Sequence, residues 1–270
     1  MGKQGGAAMS YRPELVVQAY QANAAAEDAA EKGRSLRVEI PREFIKRYLK
    51  AGDAVLDAGG GTGINAIMMA RRGAQVTLLD ITPGILALAE ENVRQAGLAD
   101  QVELVRGDIT DLSRFRDGEF SLVVCVGDAV SYVLERRFQA LDELVRVAQV
   151  GACLVIGCDS KLGFMRLNVA EGHLDEAWAI WERSETECGM GPRTHLYTVE
   201  EMTSLLEVRG CDLLEVASTP TFGDTIDLAP YKADASRWKA LKALELEVCT
   251  RPELLGMGNH LLFVAKKRME

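Results

Sequence analysis

Val55-Leu56-Asp57-Ala58-Gly59-Gly60-Gly61-Thr62-Gly63 is a short apolar run that breaks into a turn with glycine at alternate positions. Ala54 to Asp57 reads as a buried strand, and Ile64 to Arg72, behind the turn, reads as a helix stopped at Gly73. Glycine suits such a turn because the backbone takes unusual dihedrals there and a ligand must approach it closely. The same rhythm continues outward. Gln75 to Asp80 is a second strand, Thr82-Pro83 supplies an N-cap and a pre-set first helical residue, and Gly97 ends a helix whose apolar face is Ile85, Leu86, Ala89 and Val93. Val102 to Val105, Phe120 to Val126 and Ala152 to Cys158 give strands three to five, with a helix at Leu134 to Ala148 before the last. Strands alternating with helices predict βαβ units, right-handed crossovers and a doubly wound α/β sheet covered on both faces.

Beyond residue 160 the rhythm changes. Thr198-Val199-Glu200-Glu201 is a capping box opening a helix that stops at Gly210, and Leu213 to Ala217 and Leu261 to Lys266 read as two further strands. The long intervals between them carry amphipathic stretches, Leu174 to Trp181 and Trp238 to Val248, which point to packed insertions rather than bare loops. With Glu14 to Glu31 ahead of the core, three extra segments are available to gather at one edge and cover a site. The expected division is a tail and cap helix over 1–34, a ligand-binding core over 35–160 and a cap insertion over 161–195. Residues 196–270 then complete the sheet and carry a second cap insertion at about 220–257.

A chain of 270 residues with 48% hydrophobic and 26% charged content is neither disordered, collagenous nor a short disulfide scaffold. Its net charge of -9 is uneven: Lys+Arg against Asp+Glu count 9 and 6 over residues 1–50, but 9 and 16 over 51–160. An acidic body argues against a nucleic-acid partner, whose affinity rests on clustered Lys and Arg. Cys125, Cys153, Cys158, Cys188, Cys211 and Cys249 contain no C-x-x-C and suit a reducing cytoplasm. Met1 to Ser10 lack the apolar centre of a signal peptide and read as a frayed tail, and Gly6 stands where myristoylation wants Ser or Thr. No apolar run is long enough to span a membrane, so a cytoplasmic location without membrane contact is expected.

The glycine turn does not fit the dinucleotide fingerprint: G-x-G-x-x-G needs glycine where the chain has Ile64 or Asn65. Free N–H groups at the start of the following helix would favour a negatively charged or electron-rich ligand group. Asp80 ends strand two, within reach of ribose hydroxyls in such a sheet, and Gly107-Asp108-Ile109 follows strand three, where a carboxylate and an apolar side chain can hold an adenine. Carboxylates near ribose and base, with no Arg or Lys in the turn, suit a nucleoside without phosphates, the profile of S-adenosylmethionine.

With these motifs in order, the sequence resembles the class I S-adenosylmethionine-dependent methyltransferases, from about residue 35 to 160 and again in the closing pair of strands. Asp57, Gly59, Gly60, Gly61 and Gly63 match the family's first motif, Asp80-Ile81 its acidic ribose position and Asp108-Ile109 its adenine side. Cys125-Val126-Gly127-Asp128 is similar to the motif beside the transferred methyl, and the run through Val133 is loosely similar to glycine N-methyltransferase-like enzymes. The resemblance implies a Rossmann-like, seven-stranded, mostly parallel sheet with an antiparallel last strand. It implies S-adenosyl-L-methionine as cofactor, S-adenosyl-L-homocysteine as product, and Arg37 or Arg34 as donor to the cofactor carboxylate.

Methyl transfer needs an aligned nucleophile and removal of a proton where the nucleophile carries one. Asp128, at the end of strand four, is the first candidate for touching the acceptor, against a bland role as N-cap; Tyr132 stands just beyond it. His195, before the capping box, is a candidate base, whereas His173 falls in the cap and His260 opens a strand with a structural role expected. Neither His nor Cys shows metal-ligand spacing, so no metal is expected. Trp178, Trp181 and Trp238 are candidates for an aromatic substrate pocket or for packing. The leading expectation is an enzyme acting on a small-molecule acceptor, with homo-oligomerisation open. The alternatives are an RNA or protein methyltransferase and a non-catalytic nucleoside-binding protein of the same fold.

Overall fold

The computed structural model describes residues 10–187 and 191–269. Two helices lead, α1 (Pro13–Lys32) and α2 (Leu36–Tyr48), followed by β1 (Ala54–Ala58), α3 (Ile64–Ala70), β2 (Gln75–Asp80), α4 (Pro83–Gln95), β3 (Val102–Arg106) and β4 (Phe120–Cys125). Then come α5 (Ala129–Tyr132), α6 (Arg137–Val147), β5 (Ala148–Asp159), α7 (Lys161–Ala170), α8 (Leu174–Arg183), β6 (Glu185–Glu187) and β7 (Arg193–His195). The chain closes through α9 (Val199–Glu207), β8 (Cys211–Ser218), α10 (Ala229–Lys232), α11 (Ala235–Val248) and β9 (His260–Lys267). The expectations for residues 1–9 and for Cys188 lie outside the described residues.

Seven strands form one sheet in the order β3-β2-β1-β4-β5-β9-β8, while β6 and β7 make a separate antiparallel hairpin. β1 pairs in parallel with β2 and β4, β2 with β3 and β4 with β5, whereas β9 runs antiparallel to both β5 and β8. This is the doubly wound, Rossmann-like methyltransferase sheet the sequence implies. Successive strand residues face opposite sides, and both sides are buried, which is why the strands read as near-continuous apolar runs. Leu56, Val123, Cys125 and Phe263 enter a core shared with α6 and α9. Val55, Leu122, Val124 and Val264 enter the opposite core, under α2, α3, α4 and α11.

The order reverses between β1 and β4, so the connections beyond their carboxyl ends diverge and leave a crevice. The antiparallel course of β9 brings its first residue, His260, to that same edge, in register with Asp159 at the end of β5. Helix α2 escapes the sequence pattern because Pro41 sits inside it, where proline ordinarily signals a break. Its buried Leu36, Ile40 and Phe44, four residues apart, hold it on the sheet nonetheless. Helix α7 packs on the turn before β9 so closely that a Cβ at Gly163 would stand 2.0 Å from the Gly258 carbonyl oxygen. Cys125, Cys153, Cys158, Cys211 and Cys249 are free thiols. Among the described residues no helix is long and apolar enough to cross a membrane.

Candidate active site

A cleft of about 560 Å³ opens at the carboxyl edge of the sheet. Its floor is Gly59, Gly60 and Gly61 after β1, Asp80, Ile81 and Thr82 after β2, Gly107, Asp108 and Ile109 after β3, and Val126, Gly127 and Asp128 after β4. Gly157 and Asp159 of β5 and His260 of β9 extend it. Helix α1 lies across it, contributing Val16, Tyr20, Glu27 and Glu31, with Tyr11 just ahead of the helix.

The glycine turn is built by backbone pairing. Gly59 and Gly60 donate their N–H groups to the Leu79 carbonyl at 2.7 and 3.1 Å, and Gly59, Gly61 and Gly63 all take positive φ. A Cβ at Gly60 would stand 2.6 Å from Leu78 Cγ, in the core beneath the turn. The Asp80 carboxylate accepts the Gly61 N–H at 3.2 Å and the Thr82 N–H at 2.8 Å, and burial pushes its pKa up. The N–H groups of Gly59, Gly60 and Gly61 are therefore taken up within the protein. Glu31 of α1 accepts from the Thr62 hydroxyl at 2.6 Å and supplies negative charge at the start of α3, a favourable end for it.

Tyr11 ties the strap down at the far side: its hydroxyl donates to Asp108 Oδ2 at 2.9 Å, and its N–H to the Glu135 carboxylate at 2.8 Å. Asp108 Oδ1 accepts the Thr110 N–H at 2.8 Å. Along α1, Gln21 accepts from Gly84 N–H at 2.9 Å, Asp28 accepts from Asn92 at 2.8 Å, and the Tyr20 ring meets Tyr132 edge-on at 5.9 Å.

Beyond the turn, four charged groups meet. His260 Nε2 lies 3.2 Å from Asp128 Oδ2 and 3.5 Å from Asp159 Oδ1, and Arg37 Nη2 contacts both His260 Nε2 and, at 3.5 Å, Asp128. The ligand atoms of Asp128, Asp159 and His260 lie within 4.8 Å of one another, a spacing a metal ion could bridge, and the Arg37 guanidinium contacts two of the three. Asp128 has φ of 75° and makes no capping hydrogen bond with its side chain, so the N-cap role is not the one it plays. Asp159 is fixed by the Thr194 hydroxyl, which donates to Oδ2, and donates its own N–H to Ser131 Oγ at 2.9 Å. Burial and the neighbouring Asp128 charge push its pKa up to about 7, whereas the His260 and Arg37 charges hold Asp128 below the usual range against its burial.

Several expectations need correction. Asp57 and Gly63 do not line the cleft. Asp57 is buried beneath the turn, where it faces α3, and Gly63 packs on Ala89 and Leu78 as the left-handed residue before that helix. His195 is equally absent from the lining: its Nε2 pairs with Glu201 at 2.8 Å and its ring meets Tyr197 edge-on. Arg34 turns to the Lys232 carbonyl, leaving Arg37 in the cleft. None of the tryptophans lines it; Trp178 and Trp181 are exposed on α8, and Trp238 is buried with its indole N–H on Glu39. His173 is exposed beside Glu171. Sequence reasoning missed Tyr11, Glu31, Asp159 and the placement of His260.

Burial, with the Glu31 and Asp80 charges, lifts the Asp57 carboxyl from 3.8 to about 7, and its Oδ2 has no hydrogen-bond partner among the described residues. A carboxyl raised on folding favours the folded state fully below its unfolded pKa and progressively less as pH rises toward the folded value. Asp57→Asn keeps the shape without the charge. Its melting temperature should therefore fall less than the parent's between about pH 5 and pH 8; equal slopes in a thermal scan would contradict this. Asp159, raised likewise, leaves part of the slope in place.

Residues 55–151 match a family described as a methyltransferase domain. Ribosomal protein L11 methyltransferase of Thermotoga petrophila is 32% identical over 145 residues, 53% of this chain and 50% of that protein, so the chain spans about half the length of the curated relatives it first matches. tRNA 5-carboxymethoxyuridine methyltransferase of Escherichia coli O157:H7 is 25% identical over 217 residues, 79% of each chain. Among solved structures, 1,6-didemethyltoxoflavin-N1-methyltransferase of Burkholderia thailandensis, with 1,6-didemethyltoxoflavin and S-adenosylhomocysteine bound, is 12% identical and aligns at a TM-score of 0.61 over 98% of this chain and 94% of that one. Residues 55–151 thus match a methyltransferase-domain family, and the sheet has the fold of solved S-adenosylmethionine-dependent methyltransferases.

Proposed function

We propose that the protein is an S-adenosylmethionine-dependent methyltransferase that moves the sulfonium methyl to a nucleophilic atom of a small-molecule acceptor. The observation that carries this reading is the roofed cleft in which the glycine turn, Asp80 and Asp108 meet under α1. The residues fit the cofactor. A carboxylate has about four acceptor positions; Asp80 uses two on backbone N–H groups and keeps capacity for ribose hydroxyls. Ile81 and Ile109 supply apolar surface for an adenine, Asp108 an acceptor for its amino group, Val126 and Gly127 a backbone edge, and Arg37 a donor for a carboxylate. When bound, S-adenosylmethionine supplies an electrophilic methyl carbon on a cationic sulfur.

Asp128 and Tyr132 face the acceptor side, which Phe164 and Leu167 of α7 close with apolar surface. The relatives named above act on a ribosomal protein, a tRNA and a small heterocycle, so the acceptor rests on the cleft itself. Its acidic lining, Glu27, Glu31, Asp80, Asp108, Asp128 and Asp159 against Arg37 and His260, disfavours a phosphate backbone, and its roof favours a ligand that can be enclosed. Titration calorimetry with S-adenosylhomocysteine should give saturable binding at a single site. Absence of heat and of any thermal stabilisation at millimolar ligand would sink the reading, and salt-sensitive retention of RNA would redirect the acceptor class.

A further inference from the structure

We infer that His260 is a catalytic residue: its Nε2 takes the proton of the acceptor, whose attacking oxygen or nitrogen must therefore carry one. This rests on the methyltransferase reading and adds to it the acceptor class and the group that makes the acceptor nucleophilic. The ring stands at the cleft wall, 7% exposed, because β9 starts where β4 and β5 end. Its Nδ1 is buried and has no hydrogen-bond partner among the described residues, so all the ring's polar traffic passes through Nε2. Nε2 meets three groups: the two carboxylates of Asp128 and Asp159, and the Arg37 guanidinium.

That arrangement is suited to a proton acceptor in two ways. An Arg37 N–H faces Nε2, the direction from which an acceptor O–H or N–H would approach; its side chain is 55% exposed and has solvent into which to withdraw. Once protonated, the imidazolium lies beside two carboxylates, that of Asp159 fixed by the Thr194 hydroxyl and that of Asp128 3.2 Å from Nε2. Burial lowers the basicity of the imidazole and the Arg37 charge lowers it further, but the Asp128 and Asp159 charges outweigh both and leave it above the usual histidine range. Burial and the charge of Asp128 also raise the pKa values of Glu27 on α1 and, through the core beneath the site, of Cys158 on β5. In the step itself, the bond from the acceptor atom to the methyl carbon forms as the carbon–sulfur bond breaks with its electron pair going to sulfur. The acceptor's proton passes to Nε2, giving methylated acceptor, S-adenosylhomocysteine and imidazolium, which returns its proton to solvent when the cleft opens.

The chain has three histidines, so the side-chain nitrogens of a 15N-histidine sample can be assigned by comparison with His260→Gln. In the complex with S-adenosylhomocysteine, the His260 nitrogens should titrate with a midpoint above the usual histidine range, and Asp159→Asn should lower that midpoint. A ring that is already neutral below the usual histidine range, or that never loses its proton, overturns the inference, as does a midpoint unmoved by Asp159→Asn. In a tritium-methyl assay against phenols, hydroxy acids and primary amines, His260→Gln should lose about 10²–10⁴-fold in turnover. Because Arg37 loses its Nε2 contact in this variant, affinity for S-adenosylhomocysteine is measured alongside, and the loss of turnover should exceed any loss of affinity by at least about tenfold. Turnover retained by His260→Gln, or methylation confined to thioethers and tertiary amines, overturns it too. Failure of S-adenosylhomocysteine to bind the parent protein would instead sink the proposed function.

Discussion

Asp80→Ala is expected to weaken S-adenosylhomocysteine binding by about 10²–10⁴-fold, since two hydrogen bonds to a charged acceptor contribute roughly 1.5–3 kcal/mol each. The carboxylate is half-buried and has two jobs at once. It closes the glycine turn through Gly61 N–H and orders the start of α4 through Thr82 N–H, while its remaining lone pairs face the cleft. Alanine removes both the ribose acceptor and the brace of the turn. Asp80→Asn retains an acceptor oxygen and should fall between the two. Calorimetry on both variants, with circular dichroism to confirm folding, separates the outcomes. Binding within threefold of the parent in a folded Asp80→Ala would place the cofactor elsewhere.

The second large effect is far from the glycines. Glu245 of α11 is fully buried, and its carboxylate accepts three consecutive backbone N–H groups: Thr221 at 2.6 Å, Phe222 at 2.9 Å and Gly223 at 2.7 Å. Removing it leaves three buried donors without a partner. Each such loss costs about 1–3 kcal/mol, partly recovered by water or relaxation, so Glu245→Ala should cost about 3–5 kcal/mol. In a protein of this size that lowers the melting temperature by about 10 °C. Glu245→Gln keeps one acceptor but turns an NH₂ toward an N–H, and should lose about half as much. Differential scanning calorimetry reads both, and a melting temperature within 2 °C of the parent for Glu245→Ala would show that the loop has other support. The loop begins at Thr219, which lines the cleft, so ligand affinity should fall with stability.

The sheet was legible because each strand-to-helix passage carries its own chemistry. The glycines at 59 to 63, Thr82-Pro83 and the capping box at Thr198 are local signals, and β1 to β5 follow from them. Asp80 and Asp108 were legible for the same reason: a carboxylate closing a parallel strand has one edge to occupy. His260 is the instructive miss. As the first residue of a strand it looked structural, yet an antiparallel last strand must begin at the edge where its parallel neighbours end. Expecting that direction was enough to bring residue 260 to the site. Asp57 failed in the opposite sense, since a motif position was taken for a ligand contact when it lies beneath the turn and the glycines after it line the cleft. The segment Glu14 to Glu31 was legible as a cover for the site, but Tyr11 and Glu31 individually were not, because their side chains reach the cleft through contacts no periodicity encodes. Helix α2 was hidden by Pro41 and α7 by apolar residues that do not keep to one face.

Helix α1 also sets the order of events. Asp108 has one carboxylate oxygen on Thr110 and the other on Tyr11, so an adenine amino group bound there would share its acceptor with a donor of the strap. Seating of the nucleoside and the hold of the strap's first anchor are then coupled through one carboxylate. The residence time of the spent nucleoside is set by how often Tyr11, Gln21, Asp28 and Glu31 release together. A cleft roofed this way is fastened at four points, and a nucleoside seated beneath the roof leaves no faster than those fastenings open.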